Sequence, residues 1–315
     1  MQIEAATTDS TIGTVLVPLS NPTVFHSTIH ARPPVDAPGP IRLWHLSSLD
    51  APSVAVVWSL AFAWATGVHL PFWVPILLAL GTWAVYIGDR LLDARNAFNT
   101  GNLNQLRERH YFHWSHRRTL LAVAVAAAFV AAALIFSLMP LAVRHRDSIL
   151  AVAALAYFTG VHCGGRRWSP ARFSPSKELL VGVLFTAGCA LPALTRMNLE
   201  PGPAPLRWPF LAVVAQYAAL AWLNCYAIEV WESKGASRVP RWAASIAVSS
   251  VLVAVCIAPG GLRLALLLFA ATLSALLLLL LDRIRRRLTP IALRSAADLV
   301  LLTPLLLAAF WRRIP

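Results

Sequence analysis

Charge is scarce in this chain. Asp, Glu, Lys and Arg make up 13% of its 315 residues, about half the share of an average soluble domain. That excludes a hydrated globule. Acids are scarcer still, 14 against 27 Lys and Arg. The four cysteines (Cys163, Cys189, Cys225, Cys256) stand singly in or beside apolar stretches, without C-x-x-C spacing. Reduced structural thiols are expected, not a zinc ribbon or a disulfide framework. No run alternates apolar and polar residues as the strands of a lipid-facing barrel do. The first forty residues are too polar and too proline-broken to contain the apolar region of a signal peptide. They are rich in Ser, Thr and Pro, and residues 1–40 are expected to be a disordered tail.

Apolar residues, by contrast, reach 58% and mean hydropathy is +0.64. Nine stretches are long enough to cross a hydrocarbon core of roughly 30 Å: 51–69, 71–88, 119–139, 147–163, 177–195, 209–230, 241–258, 262–282 and 292–311. In lipid the backbone must satisfy itself, so these stretches predict an all-α polytopic bundle over 41–315. Ile41 to Leu49, with Trp44 and His45 beside Arg42, reads as a short interfacial segment.

The excess of basic residues is one-sided. Arg32, Arg42, the six arginines from Arg90 to Arg118, Arg166, Arg167, Arg172, Lys177, Lys234, Arg238, Arg241, Arg283, Arg285, Arg286, Arg287 and Arg294 all fall on the side shared by the N-terminus and the even-numbered loops. The positive-inside rule then predicts a cytoplasmic N-terminus and an external C-terminus, with a bacterial inner membrane the plainest host. Anionic membrane lipids account for such loops, and no nucleic-acid partner is expected.

Most acids share that cytoplasmic side, and four of them form two pairs. Asp89 and Asp93 lie in Trp83-Ala-Val-Tyr-Ile-Gly-Asp-Arg-Leu-Leu-Asp93, and Glu229 and Glu232 in Asn224-Cys-Tyr-Ala-Ile-Glu-Val-Trp-Glu232. Spacings of i,i+4 and i,i+3 put each pair on one helical face. Acids near a bilayer mark a site by default, and facing pairs could hold Mg²⁺ against a diphosphate. The plainer reading makes them the hydrated ends of membrane helices. Asp298 has two readings as well, a partner for Arg294 one turn earlier or a cavity-lining acid. His110, His113 and His116 recur every three residues, and that drift of about 60° per step keeps them from converging on one ion. They are expected on an amphipathic surface segment. Trp83, Tyr86, Trp222 and Tyr226 lie within two turns of the acid pairs, where interfacial belts or cation–π contacts would place them.

These residues resemble the UbiA superfamily of intramembrane prenyltransferases, nine-helix bundles with aspartate-rich motifs after spans two and six. The resemblance covers roughly residues 45–312. Val85-Tyr-Ile-Gly-Asp-Arg-Leu-Leu-Asp93 is similar to the first motif, N-D-x-x-D-x-x-x-D, with Val85 and Tyr86 replacing its leading Asn and Asp. Tyr226-Ala-Ile-Glu-Val-Trp-Glu232 resembles the second, with glutamates for aspartates. The resemblance implies that Asp89, Asp93, Glu229 and Glu232 ligate Mg²⁺. Arg90, Arg166, Arg167, Arg172 and Lys177 would neutralise the diphosphate of an isoprenoid substrate, and Tyr86, Trp222 or Tyr226 would shield an allylic cation. The implied activity is prenyl transfer to a small aromatic or lipid acceptor. The altered motifs leave two alternatives of the same fold, a catalytically degenerate lipid-binding or scaffold protein and a terpene cyclase. A transporter is disfavoured by few mid-bilayer charges and no pair of broken helices. Oligomeric state leaves no mark in the sequence.

Overall fold

The computed structural model describes residues 39–99, 108–163, 177–199, 207–233 and 235–310. The expected tail up to residue 38, and the candidate phosphate ligands Arg166, Arg167 and Arg172, lie outside the described residues.

Every element among the described residues is helical. In chain order they are α1 (Pro40–Leu46), α2 (Asp50–Thr66), α3 (Trp73–Asn99), α4 (Glu108–Ser115), α5 (Arg117–Leu138), α6 (Leu141–Cys163), α7 (Lys177–Leu199), α8 (Arg207–Ser233), α9 (Val239–Ile257), α10 (Leu262–Ile284) and α11 (Pro290–Leu299). A 3₁₀ segment, Val300–Phe310, continues α11. Seven of these helices are long and apolar enough to cross a membrane, and eight if the bent pair α1–α2 forms one span. These are the helices of an integral membrane protein. Helix α6 falls short because Arg144, Arg146 and Asp147 occupy its first two turns.

The core gathers where α2, α8 and α10 meet. Trp58 stacks on Tyr217 at 3.8 Å, and Phe62 sets its ring edge-to-face against Tyr217 and Phe210. All four side chains are fully buried, and each such ring pair adds about 0.5–1.5 kcal/mol beyond area burial. Outer helices are different in kind. On α5, buried positions are alanines (Ala124, Ala127, Ala131) and the large side chains Phe129 and Phe136 point outward. With lipid as apolar as leucine, such a helix seats itself through small residues while its bulky ones face the tails.

Helices α7 and α8 approach closely at Gly182, where a Cβ would stand 2.7 Å from the Trp222 backbone nitrogen. The last span poses a backbone problem at Pro304, which has no N–H to offer the preceding turn. The carbonyls it would have served are both taken by other helices. Ser274 Oγ donates to Val300 O at 2.6 Å, and Trp58 Nε1 donates to Leu301 O at 2.8 Å. Thr303 Oγ1 in turn donates to Ala270 O at 2.8 Å. Side chains from α2 and α10 thus pin the broken end of the bundle, the usual remedy for a proline in lipid.

Between α1 and α2 the chain bends by 91°. Gly67 closes the far end of α2 in the left-handed conformation (φ 73°), but at the bend the left-handed residue is Ser48 (φ 58°), an uncommon position for a side chain. The elbow is braced on both sides. Trp83 Nε1 donates to Ser47 O at 2.9 Å, Trp44 Nε1 to Ser53 Oγ at 3.2 Å, and the fully buried Ser48 hydroxyl meets His113 Nε2 at 3.4 Å.

Candidate functional site

Asp89 and Asp93 do not end a helix, because α3 runs on to Asn99. Both are partly buried. Both lie in the electrostatic surroundings of Tyr157 on α6, together with Glu178 and Cys225. Cys225 also feels Glu178 and Lys177, the first two residues of α7. Acids of α3 and α7 and the lysine that opens α7 thus share one electrostatic neighbourhood with Cys225 of α8. Glu178 was not singled out from the sequence, although it lies in the first turn of an apolar helix.

The second acid pair divides. Glu229 is exposed and lies one turn after Cys225, on the same face of α8. Glu232 is engaged elsewhere, with Arg294 Nη1 at 2.7 Å and Arg109 Nη1 at 3.7 Å. The expected aromatic group divides too. Trp222 stacks on Tyr226 at 5.6 Å and meets Trp242 of α9 edge-on at 5.4 Å. The Tyr86 hydroxyl instead has Cys225, Asp50, Asp298 and Arg90 as its electrostatic neighbours.

Those last three belong to a buried polar cluster that the sequence reading did not foresee. His45, Asp50, Arg90 and Asn224 are all less than a tenth exposed. His45 Nδ1 lies 2.7 Å from Asp50 Oδ2 and 3.6 Å from Asp298 Oδ2. Asp50 Oδ1 accepts from the Ala51 backbone N–H at 2.9 Å, and Asn224 Nδ2 donates to Asp298 Oδ1 at 3.2 Å. One oxygen of each of the two carboxyls lies within 4.8 Å of the other and of His45 Nδ1. Arg90 acts on both electrostatically. Its charge is therefore directed into the cluster, and Arg294 pairs with Glu232, not with Asp298. A signal for this site was present: an acid opening the first span, five residues after the only histidine of the interfacial segment.

The histidine run is not a surface segment either. His110 and His113 are buried, and only His116 of the three is exposed. Burial holds the His113 imidazole down at about 4, and the charges of Arg90, Arg109 and His45 push the same way against its bond to the Arg109 carbonyl. Helix α4 is fastened to α1 through the ion pair between Arg42 and Glu108. Asp282 is likewise structural: it accepts from Trp231 Nε1 at 2.8 Å and Ser237 Oγ at 2.7 Å, holding the connection between α8 and α9.

Comparison with known proteins returns no relative: no family model, curated protein or solved structure matches this chain.

Proposed function

We propose that this protein is a UbiA-like intramembrane prenyltransferase, a nine-span bundle that binds an isoprenoid diphosphate at its acid-lined cytoplasmic end. It passes the prenyl group to a small aromatic or lipid acceptor. The N-terminus lies in the cytoplasm, the C-terminus outside, and the host is a bacterial inner membrane. The observation that carries this reading is the placement of Asp89 and Asp93 one turn apart on one face of α3, both only partly buried.

Carboxylate oxygens drawn from two helices suit a hard cation. Asp89 and Asp93 would hold Mg²⁺, joined by Glu178 and by Glu229 from the facing helix; Glu232, tied to two arginines, is the weakest candidate of the four acids first read as ligands. Bound there, Mg²⁺ supplies charge compensation to the diphosphate oxygens. Lys177 adds a cation at the same mouth, and Arg166, Arg167 and Arg172 precede it in the chain. Arg90 serves indirectly, fixing the α3 turn that carries Asp89. The allylic C–O bond then breaks with its electron pair leaving on the diphosphate, and the acceptor bonds to the allylic carbon and releases a proton. Trp222 and Tyr226 offer ring faces to the transient cation. The prenyl tail lies against the apolar helix faces.

A second reading, a lipid-binding protein without catalysis, is favoured by one observation, the engagement of Glu232 by Arg294 and Arg109. Thermal unfolding of the detergent-purified protein with geranylgeranyl diphosphate separates the two. A ligand bound only by the folded state raises the melting temperature. Stabilisation that requires Mg²⁺ and disappears in Asp89→Asn supports the enzyme; equal stabilisation with or without Mg²⁺ supports the lipid-binding reading.

A further inference from the structure

The buried cluster at the α1–α2 elbow is more than an ion pair. His45 Nδ1 and one carboxylate oxygen each from Asp50 and Asp298 all lie within 4.8 Å of one another. The nitrogen pairs with oxygens at 2.7 and 3.6 Å, but no hydrogen bond of good geometry satisfies it. Asn224, whose Nδ2 donates to Asp298 Oδ1, keeps a buried Oδ1 without a donor. Both groups are at least nine-tenths buried.

The outward-turned atoms of the same residues are well served. Asp50 Oδ1 is held by the Ala51 N–H and Asp298 Oδ1 by Asn224 Nδ2, leaving each Oδ2 facing the imidazole nitrogen. One atom tethered and the other presented is the arrangement by which outer contacts orient metal ligands. Two carboxylates this close in a dry site stay ionised together only with positive charge beside them. Arg90 offsets part of their charge from one side, and Tyr86 and His113 also border the cluster.

We propose that His45, Asp50 and Asp298, with the Asn224 carbonyl oxygen completing the set, form a structural site for a divalent transition-metal ion, Zn²⁺ foremost. One imidazole nitrogen with three oxygens favours Zn²⁺ or Mn²⁺ over Mg²⁺, which takes oxygen donors and retains water. Four protein donors and a buried setting describe a closed, structural centre, not a catalytic one with an open position. The ion would tie the elbow of the first span to the last span and to α8. Arg90 tempers its affinity. This site is independent of the prenyl-transfer reading and of the Mg²⁺ ligands named there.

The test is the metal content of the full-length protein, purified in detergent from zinc-supplemented cells and dialysed without chelator. Wild type and Asp147→Asn should carry about one zinc per chain, and His45→Gln and Asp298→Asn less than about a tenth. A wild-type protein without zinc or manganese, or variants that keep the full content, would overturn the proposal in favour of a proton shared between Asp50 and Asp298. Should the variants fail to fold, Co²⁺ added to chelator-stripped wild type decides. Visible d–d absorption that Zn²⁺ abolishes at one equivalent and excess Mg²⁺ leaves intact upholds the site; its absence refutes it.

Discussion

Two sets of acids sit near the same end of this bundle and differ in almost every respect. Asp89 and Asp93 are four residues apart, on one face of one helix, and partly open to solvent. Asp50 and Asp298 come from the first and last spans, and they are joined only by folding. The first set is partly accessible and shares the surroundings of Tyr157 with Glu178, a composition for a charged ligand that arrives and leaves. The second is enclosed, and its neighbours are His45 at the elbow, Asn224 on α8 and Arg90 on α3. Accessible acids serve turnover; enclosed ones serve architecture.

Substitution at the enclosed set should do the greater damage. Asp50→Ala strips His45 of its nearest acid and the Ala51 N–H of its acceptor. Breaking a buried charged pair on one side costs about 3–5 kcal/mol, so the variant should aggregate or lose its sharp size-exclusion peak. Full retention of stability would erase the distinction between the two sets. Next in size comes pH. The folded state holds His113 at about 4, below the ordinary value near 6.5. The unfolded chain therefore takes up the proton first, and stability falls as pH drops from about 6.5 towards 4, by at most about 3 kcal/mol. Melting temperatures across that window should decline in wild type and flatten in His113→Gln. Smaller again is Gly182→Ala, which pushes α7 off the Trp222 backbone at a cost of about 1–3 kcal/mol. That shift moves Lys177 and Glu178 and should weaken Mg²⁺-dependent diphosphate binding along with stability. The least disruptive change is Asp89→Asn, expected to leave the melting temperature of the unliganded protein within about 0.5 kcal/mol of wild type. Only the ligand-induced shift should vanish, which differential scanning of the two proteins would read directly.

The division between legible and illegible follows the same line. Helix positions could be read because each is a local property: an apolar run long enough for lipid must coil, and the ranges of α2, α3 and α5 to α10 fall on the apolar stretches. The pairing of Asp89 with Asp93 was legible for the same reason, one face and one spacing. The elbow was not, because nothing in Ser47-Ser48-Leu49 announces a left-handed turn, and without the turn His45 and Asp50 do not meet. Asp298 looked like a partner for Arg294 four residues earlier, but Glu232 of another helix reaches that arginine first. His113 resembled a surface residue because Ser48, the partner that buries it against the elbow, lies more than sixty residues away. Contacts made across the bundle leave no periodicity behind.

The hydrogen bond from Trp58 to the Leu301 carbonyl has a consequence for how the chain is made. Synthesis delivers the first span long before the last. Until residues 300–310 emerge, the indole N–H of Trp58 and the hydroxyl of Ser274 have no Leu301 or Val300 carbonyl to meet. The bundle is thus closed like a ring whose clasp is made last, and a ribosome that stops short of Pro304 leaves its oldest helix without that partner. Quality control in the membrane could recognise such an unfinished chain by the open polar groups of its first span, not by its frayed end.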